Sequence, residues 1–461
     1  MKKTFISFMV SGALAVLVIS GCGGGGGGGI FFFPPINEPQ TLYYFSGNNG
    51  TDGSELWRSD GTESGTVMVK DINPGAGDSF PAIFTNVNGT VFFWATDGTN
   101  GRELWKTDGT AAGTVMVKDI NPGAGDSFPS GFTNVSGTIF FKANNGTNGT
   151  ELWKTDGTET GTVMVRDINP GAGTSSPSYL TNVSGTLFFT ADDGTNGVEL
   201  WKSDGTGTGT ILVKDINGAG SSSLLSLTNV SGTLFFRADD GTNGSEPWRS
   251  DGTEAGTVIL KDINPGIGGS YPSEFICVNG TIFFRAVDDT HGEELWKTDG
   301  TETGTVMVKD INPGGSNSSV SVLTSVSGMI FFRANNGSDG TELWKSDGTE
   351  AGTVMVKDIN GAGDSFAYEF TNVNGTIFFR ADDGIHGEEL WRTDGTGAGT
   401  VMVKDINPGA NTSVLWSFAN VNGTLLLRAN DGVNGHELWK SDGTEAGTVM
   451  VKDINPGPGD S

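Results

Sequence analysis

Cysteine and histidine are scarce in this sequence, whose 461 residues include 2 cysteines and 3 histidines. Two cysteines cannot build a framework of several disulfides, so packing must hold the folded chain together. One of them, Cys277, lies in a strand-like segment, where we expect a small packed residue rather than a reactive thiol. The histidines His291, His386 and His436 lie in glycine-rich loops without metalloenzyme spacing, and we interpret them as surface residues.

Lysine and arginine are also few, 27 against 54 aspartates and glutamates, which gives a formal net charge of −27. Nucleic acid and anionic lipid surfaces repel so negative a chain, and we exclude both as ligands. Divalent cations, basic partners and simple solubility remain as reasons for the charge. Disorder is excluded as well, because the 28 Phe and 11 Trp recur at fixed positions of a repeat, as a packed core requires.

Long apolar segments are absent except at the start, where two lysines precede an apolar run over residues 5–19. This run is too short to span a bilayer stably, and with the quartet ISGC ending at Cys22 it resembles a bacterial lipoprotein signal. The resemblance implies that residues 1–21 are removed and that Cys22 is acylated; an ordinary signal peptide is the alternative. Residues 22–40, glycine-rich and then proline-containing, are interpreted as a tether and connector. We expect an exported protein that reaches the membrane only through this lipid, at a bacterial outer membrane or cell surface rather than facing the periplasm.

Tryptophan marks an internal repeat over residues 41–461. Successive tryptophans recur with a nearly constant spacing, and the spacing shortens slightly wherever the proline after KDIN is lost. A repeat of this length that tolerates a missing loop residue is typical of a modular architecture. We predict that the tryptophans belong to the repeated core: Trp57, Trp105, Trp153, Trp201, Trp248, Trp296, Trp344, Trp391 and Trp439.

Every local signal within one period is typical of β-structure. In FTNVNGTVFF (84–93) two apolar runs flank Asn88-Gly89, the strongest short hairpin signal, and ELWKTD and TVMVKDI follow as strand-length runs. Both faces of a strand such as FFW (92–94) are apolar, as expected for a sheet packed between two neighbours. We therefore predict an all-β fold, a β-propeller of four-stranded antiparallel blades, rather than an open β-solenoid.

The repeat predicts about nine blades in a single domain. If the strands of one blade are named A to D in chain order, B, C and D occur nine times but A only eight times. Eight blades are then complete and the first is irregular. Either residues 30–36 supply the missing strand, or the ring closes with a three-stranded blade.

The phrase ELWKSDGTEAGT (437–448) recurs in all nine copies, of which eight keep ELW and nine keep DGT; the exception is Pro247 in EPW. This pattern resembles a family of bacterial secreted repeat proteins named for the ELWxxDGT motif, over about residues 41–461. The resemblance implies a propeller-like surface protein and no established catalytic activity.

The DGT segment also resembles the Asp-box of sialidase-type propellers, which lies in the turn between strands C and D. The intervening residues and the trailing aromatic of that box are missing here, so only a turn role carries over, in which Asp442 caps backbone amides. A sialidase also needs a tyrosine nucleophile and an arginine cluster. Tyrosine is scarce, with 5 residues, and the arginines at 237, 285, 333, 380 and 428 all share one repeat position.

The loops between strands B and C are the candidate metal sites. Asp, Asn and a following Glu in a glycine-rich loop offer the oxygen ligands that Ca²⁺ prefers, although the spacing is not that of an EF-hand. These loops either bind Ca²⁺ weakly or are simply hydrogen-bonded turns. In both interpretations the protein requires no cofactor. The candidate ligands are Asp192, Asp193, Asn196 and Glu199 in one loop and Asp239, Asp240, Asn243 and Glu246 in the next.

The uniformity of the repeat favours a scaffold over an enzyme. We expect a non-enzymatic, monomeric propeller that serves as a binding or adhesion scaffold for protein or glycan partners at the cell surface. The alternative is a glycan-processing hydrolase or lyase with a pocket at one mouth of the propeller. That alternative requires a cluster of unlike charged or aromatic side chains at one end of the channel, where the repeats lose their symmetry.

Overall fold

The computed structural model describes residues 42–218, 220–361 and 363–461, which form β-strands joined by turns and loops. The described residues contain no helix long and apolar enough to cross a bilayer. The predicted signal segment 1–21, the lipidation site Cys22 and the tether 22–40 lie outside these ranges.

Thirty-five strands follow one another in chain order. The first five sheets contain β1 (Tyr43–Asn48), β2 (Ser54–Ser59), β3 (Val67–Lys70), β4 (Ala82–Val87), β5 (Thr90–Thr96), β6 (Arg102–Thr107), β7 (Val115–Lys118), β8 (Ser130–Val135), β9 (Thr138–Asn144), β10 (Thr150–Thr155), β11 (Val163–Arg166), β12 (Ser178–Val183), β13 (Thr186–Asp192), β14 (Val198–Ser203), β15 (Ile211–Lys214), β16 (Leu225–Val230), β17 (Thr233–Asp239), β18 (Ser245–Ser250) and β19 (Val258–Ile259). The last four contain β20 (Ser273–Val278), β21 (Thr281–Asp288), β22 (Gly292–Thr298), β23 (Val306–Lys309), β24 (Ser321–Val326), β25 (Met329–Asn335), β26 (Thr341–Ser346), β27 (Val354–Lys357), β28 (Tyr368–Val373), β29 (Thr376–Asp382), β30 (Glu388–Thr393), β31 (Val401–Lys404), β32 (Trp416–Val421), β33 (Thr424–Asn430), β34 (His436–Ser441) and β35 (Val449–Lys452).

Consecutive strands pair antiparallel into nine sheets, the blades, in which strand order follows the sequence. Blade 1 consists of three described strands, β1 to β3, which correspond to B, C and D. Blades 2 to 9 each have four strands in the order A, B, C, D. The prediction of an all-β propeller with nine antiparallel blades, the first irregular, is confirmed. Residues 30–36, proposed as the missing strand, lie outside the described residues.

A two-residue turn joins strands A and B. In blade 2, Asn88 and Gly89 have φ angles of 52° and 88°. Positive φ at both central residues is typical of a type I′ turn, whose twist matches that of two antiparallel strands. Strand A is then interrupted by a bulge between Ala82 and Thr85, where Ile83 has a φ of 60°.

The A strands lie innermost, where those of neighbouring blades contact one another. Thr133 Oγ1 of blade 3 donates to Leu180 O of blade 4 at 3.0 Å, and Asn182 Nδ2 of blade 4 donates to Asn134 O at 2.9 Å. Strand D, at the opposite edge of each sheet, forms the outer surface. Because the strands alternate in direction, the D–A and B–C loops share one face of the ring and the A–B and C–D turns share the other.

Apolar side chains fill the junctions between blades. At the junction of blades 2 and 3, Val87, Phe92 and Leu104 pack against Phe141 and Trp153. Phe141 is completely buried, and burial of one such ring stabilises the fold by about 1.5–3 kcal/mol. The nine tryptophans of the repeat are all buried, with between 4% and 6% of their surface exposed.

The ring closes between blades 9 and 1. Lys452 Nζ of β35 donates to Thr66 O of blade 1 at 2.9 Å, the same bond that Lys70 Nζ of β3 makes to Thr114 O of blade 2 at 2.8 Å. An apolar cluster fills this junction too, and its members are Val421, Leu426, Leu438 and Val451 of blade 9 with Tyr43 and Phe45 of blade 1.

Candidate functional site at the inner rim

The repeated DGT segment forms the turn between strands C and D. In blade 9, Asp442 Oδ1 accepts hydrogen bonds from Thr444 N at 2.8 Å and from Thr444 Oγ1 at 2.7 Å. These bonds lower the pKa of Asp442. Gly443, with a φ of 89°, completes the turn. The arrangement recurs in the other blades, so this segment has a structural role in each of them.

Most cations of the chain lie on or near strands C and D, where fifteen of them donate to a backbone carbonyl of the next blade. Of the 27 lysines and arginines, two precede the described residues, nine end or closely follow strand D, and nine follow the tryptophan of strand C. Each D-strand cation donates to a backbone carbonyl of the next blade. Lys404 Nζ, for example, also lies 5.8 Å from the ring centroid of Trp439. We call these eighteen side chains the junction cations.

The seven remaining cations lie together at the inner end of the blades. They occupy the fifth position of strand B or the first of strand C, next to the start of strand A and to the D–A and B–C loops. Seven aromatic residues share this region, which we call the inner rim. Its cations are Arg102, Lys142, Arg237, Arg285, Arg333, Arg380 and Arg428, and its aromatics are Phe80, Trp94, Phe128, Tyr271, Phe366, Tyr368 and Trp416.

Cations and rings of the inner rim stack on one another across blade boundaries. The guanidinium carbon of Arg333 in blade 7 lies 4.2 Å from the ring centroid of Tyr368 in blade 8, and that of Arg380 lies 5.1 Å from the same ring. In blade 2, Arg102 stacks near three rings, those of Phe80, Trp94 and Phe128. Such contacts orient the guanidinium groups and leave part of each ring for a ligand.

Five of the arginines bury an Nε atom that has no hydrogen-bond partner among the described residues, and three of these five also make no ion pair there. Arg285 and Arg380 pair with Glu293 and Glu388, whereas Arg237, Arg333 and Arg428 make no ion pair among the described residues. The Nε atom of each of these three is buried without a hydrogen-bond partner in the same part of the chain. Burial lowers the pKa of Arg237, yet a guanidinium stays charged at neutral pH.

The aromatic rings of the inner rim are open to solvent. Phe80, Phe128, Tyr271, Phe366 and Trp416 are between 44% and 53% exposed. Large aromatic side chains rarely stay this exposed in groups unless the surface contacts a ligand or partner. The rim therefore offers flat apolar faces beside unpaired guanidinium groups.

The predicted Ca²⁺ ligands do not share one site: the Asp and Asn side chains bond within the loop itself, whereas the Glu side chain is buried. Asp193 accepts bonds from Thr195 N and Asn196 N at Oδ1 and from Asn196 Nδ2 at Oδ2, while Asp192 Oδ1 accepts from Gly194 N. Glu199 is buried and accepts Ile216 N at 2.9 Å. The next loop repeats the pattern with Asp239, Asp240, Asn243 and Glu246. Within the described ranges, no group of three or more His, Cys, Asp or Glu is arranged to hold a metal ion.

The glutamate of the ELW segment is buried in every blade. Glu294 is fully buried and accepts bonds from Ile311 N at 2.9 Å, Asn312 N at 3.4 Å and Ser318 Oγ at 2.8 Å. Burial raises the pKa of Glu294 to about 7, although the hydrogen bonds act in the opposite direction. The side chain therefore fixes the D–A loop to strand C.

The three histidines do not come together. His291 and His386 bond the carboxylates of Asp288 and Asp383 at 2.9 and 2.8 Å within their own loops. The hydrogen bonds that these carboxylates accept from the imidazole rings raise the pKa of both histidines. His436 contacts Asp460 at 2.8 Å in blade 9. Each contact holds a local loop.

Sequence reasoning recognised the shared position of the arginines and did not identify the aromatic residues that accompany them. The available signal was variation: at the first position of strand A the repeat reads Ala, Ser, Ser, Leu, Ser, Ser, Tyr and Trp in successive blades. The second position of strand A and the D–A loop also differ between copies, whereas strands B, C and D are nearly constant. Unlike residues at one repeat position are typical of a surface under separate selection.

No protein-family model and no curated protein matches the chain. Solved structures with a similar arrangement include a prolyl endopeptidase (12% identity, TM-score 0.43, covering 76% of this chain and 54% of that one) and oligopeptidase B from Trypanosoma brucei (11%, 0.41, 73% and 49%). The β-propeller domain of the Trilobed protease from Pyrococcus furiosus is also similar (12%, 0.37, 71% and 99%). The chain spans about half the length of most of these peptidases. The resemblance to ELWxxDGT repeat proteins stays a prediction from the repeat.

Proposed function

We propose that this protein is a non-enzymatic binding module that holds an acidic glycan chain on its inner rim. One observation carries the proposal. Apart from the junction cations, all positive charge of the described residues lies on this rim, and four of its seven cations, Arg102, Arg237, Arg333 and Arg380, stack on aromatic rings. The glycan-processing alternative requires a cluster of unlike charged and aromatic side chains at one mouth of the ring, as glycan binding does, so an assay for cleavage separates the two.

The chemistry of the rim suits a sugar chain that carries carboxylate or sulfate groups. Guanidinium groups bind such anions with paired N–H donors, and aromatic rings pack on the apolar face of a sugar ring. The arginines that make no ion pair among the described residues, Arg237, Arg333 and Arg428, belong to blades 5, 7 and 9. A chain that reaches two of them gains affinity by simultaneous contact.

The acidic surface elsewhere contributes specificity. With a net charge of −27, most of the molecule repels an anionic ligand, so that the ligand approaches productively only at the rim. Lipidation at Cys22, followed by the tether at 22–40, would hold this rim at a bacterial surface and make the propeller an adhesion scaffold.

Binding of a polyuronate such as alginate to the purified full-length chain tests the proposal, with neutral dextran as the control ligand. We expect binding that weakens with salt and an affinity at least about tenfold lower in Arg333→Gln, a loss of about 1.4 kcal/mol. Arg249→Gln is the matched control, because it removes the same charge from an exposed position outside the rim. Thermal unfolding of each variant verifies that the fold is retained.

Equal losses in both variants would contradict a rim site and indicate attraction by overall charge. Binding of basic or apolar peptides without any polyuronate binding would point to a protein partner. Cleavage of the polyuronate by the unmodified chain would instead favour the glycan-processing alternative.

A further inference from the structure

The fifth residue of strand B divides the inner rim into two sectors. In blades 5 to 9 this residue is always arginine, whereas in blades 2 and 3 it is Trp94 and Lys142. The remaining rim arginine, Arg102, begins strand C of blade 2. We call Phe80, Trp94, Arg102 and Phe128 the aromatic sector.

Three rings of the aromatic sector surround one guanidinium group. The ring centroids of Phe80, Trp94 and Phe128 lie 5.8, 5.3 and 5.5 Å from the guanidinium carbon of Arg102. Phe80 and Phe128 are 44% and 52% exposed, and Trp94 is half-buried. Because the rings share this one neighbour, they are close enough together for one ligand to contact more than one of them.

The two phenylalanines hold an unfavourable backbone conformation. Phe80 and Phe128 have φ angles of 46° and 45°, in the left-handed region that bulky residues rarely adopt. At the same loop position, blades 4, 5 and 7 have Ser176, Ser223 and Ser319, with φ angles of 46°, 50° and 51°. The fold therefore accepts a small polar residue here. Backbone strain at an exposed aromatic residue that packing does not require is typical of a ligand-binding position.

The positive charge of Arg102 is balanced locally. Its Nη1 lies 3.5 Å from Asp126 Oδ2, and its backbone N–H donates to Asp126 Oδ1 at 2.7 Å. Asp78 occupies the loop position in front of blade 2 that Asp126 occupies in front of blade 3. The next rim cation along the chain is Lys142, whose pKa is lowered by burial. Two carboxylates thus balance two cations, so this part of the rim has no excess of positive charge.

This balance of charge distinguishes between ligand classes. A cationic ligand is repelled by Arg102, which already lies beside the rings, and an anionic ligand is repelled by Asp78 and Asp126. An apolar side chain would cover these polar groups without forming hydrogen bonds to them. An uncharged sugar suits the sector, because the C–H face of its ring packs on an aromatic ring while its hydroxyl groups donate to a carboxylate and accept from a guanidinium.

We propose that the aromatic sector binds uncharged sugar units of an extended β-linked glycan. A β-1,4-linked glucose chain presents broad, flat C–H faces that lie on neighbouring rings, whereas the α-1,6 links of dextran leave that chain flexible and without such a face. The site uses none of Arg237, Arg333 and Arg428, and it therefore does not depend on the binding of an acidic glycan at blades 5 to 9.

Calorimetry of cellohexaose binding to the purified full-length chain tests the proposal, with dextran as the control ligand. We expect saturable binding of cellohexaose that is the same at low and at high salt, because screening acts only on charges. Phe128→Ser should lower the affinity for cellohexaose at least about tenfold, since it removes one of the stacking faces.

Phe366→Ser is the matched variant. Phe366 occupies the same loop position in front of blade 8, with a φ of 48° and 44% of its surface exposed, but it lies outside the aromatic sector. This variant should leave the affinity for cellohexaose unchanged. Thermal unfolding separates a binding role of Phe128 from a packing role: Phe128→Ser should melt no lower than the unmodified chain, because three other blades hold serine in this conformation. A marked fall in its melting temperature would overturn the proposal.

The binding assays contain further outcomes against the proposal. Absence of cellohexaose binding, equal losses in Phe128→Ser and Phe366→Ser, or equally tight binding of dextran would each contradict a sugar site in the aromatic sector. Binding of a leucine-rich peptide without cellohexaose binding would instead indicate a protein partner. Arg333→Gln, which tests polyuronate binding, should bind cellohexaose as the unmodified chain does, so the two proposals fail independently.

Discussion

The B, C and D strands differ from the A strands in how strictly the repeat is kept. Every blade has a glutamate at the position of Glu294 and a tryptophan at that of Trp296. At the first position of strand A, by contrast, Tyr368 and Trp416 stand where other blades have Ser, Ala or Leu. The outer three strands thus vary little, and the first two positions of the innermost strand vary freely.

Packing explains this difference. Glu294 accepts three hydrogen bonds in a site from which water is excluded, so any shorter or apolar side chain leaves buried donors unpaired. Tyr368 is only half-buried, and a serine in its place leaves no void. Repeat positions that hold the same residue in every blade are therefore those that packing constrains. Positions that hold unlike residues lie on the surface that is available for recognition.

The largest expected effect is the dependence of stability on pH. Burial raises the pKa to about 7 in seven of the nine glutamates, Glu103, Glu199, Glu246, Glu294, Glu342, Glu389 and Glu437. The folded state then binds more protons than the unfolded state between about pH 4.5 and 7, so the stabilisation present below pH 4.5 is lost as the pH rises through 7. We expect chemical unfolding to need markedly less urea at pH 8 than at pH 5, with a difference on the order of 1–3 kcal/mol per glutamate.

A variant of Glu294 isolates one of these titrating groups. Ser318 Oγ lies 2.8 Å from Glu294 Oε2 and 2.7 Å from Glu293 O, and its single proton serves one of these two acceptors at a time. Glu294→Gln removes one titrating carboxyl, so we expect the free energy of unfolding to depend less on pH by the contribution of one group. An unchanged dependence on pH would contradict titration of Glu294. Below about pH 4 the turn aspartates, whose pKa values are lowered by hydrogen bonds as in Asp299, lose their contribution.

The next largest effect is expected from removing one buried carboxylate altogether. Glu294→Ala leaves the N–H groups of Ile311 and Asn312 and the hydroxyl of Ser318 without their acceptor, at a cost of about 3 kcal/mol. Urea unfolding measures the loss. The matched control is Glu302→Ala, at an exposed residue of the C–D turn in the same blade, which should stay within about 0.5 kcal/mol of the unmodified chain.

The fold was predictable because its signals are local. Asn88-Gly89 specifies a hairpin through its two φ angles, and the constant spacing of Trp105 and its equivalents shows that one unit recurs. The role of Glu199 was not predictable in this way. Its neighbours in sequence suggested a metal loop, but its side chain bonds Ile216 N, 17 residues further along the chain, a contact that exists only once strands C and D have paired.

The inner rim could not be predicted from the sequence for a similar reason. Phe80, Arg102 and Phe128 are far apart in sequence, and two blades must pack before Arg102 lies between the two rings. Phe80 and Phe128 visibly occupy the same position of successive repeats, but nothing in that spacing distinguishes a rim residue from a core residue. Burial decides this, and burial depends on which strand is innermost.

A smaller effect is expected at the C–D turn. Asp299→Ala removes the acceptor for Thr301 N and Thr301 Oγ1, at 2.9 and 2.7 Å, from an exposed site where water replaces part of the lost bonding. Loss of this turn-capping side chain should therefore lower the free energy of unfolding by less than loss of the buried Glu294 does. Asp299→Asn keeps one acceptor oxygen and should lose less than half as much in the same unfolding assay. If Asp299→Ala lowered the free energy of unfolding as much as Glu294→Ala does, the exposed turn would contribute as much as the buried glutamate, contrary to this prediction.

The smallest effect is expected from Ca²⁺. Binding at the loop of blade 4 would require Asp193 to exchange its bonds with Thr195 N and Asn196 for the ion, while Glu199, buried beneath the loop, cannot reach it without releasing Ile216 N. The exchange gains little, because Ca²⁺ needs six to eight oxygen ligands in one place. We therefore expect calorimetry to detect no heat, and the melting temperature to be the same in Ca²⁺ and in chelator. A rise in melting temperature that Asp193→Asn abolishes, and that Asp299→Asn leaves intact, would show instead that the loop rearranges to hold the ion.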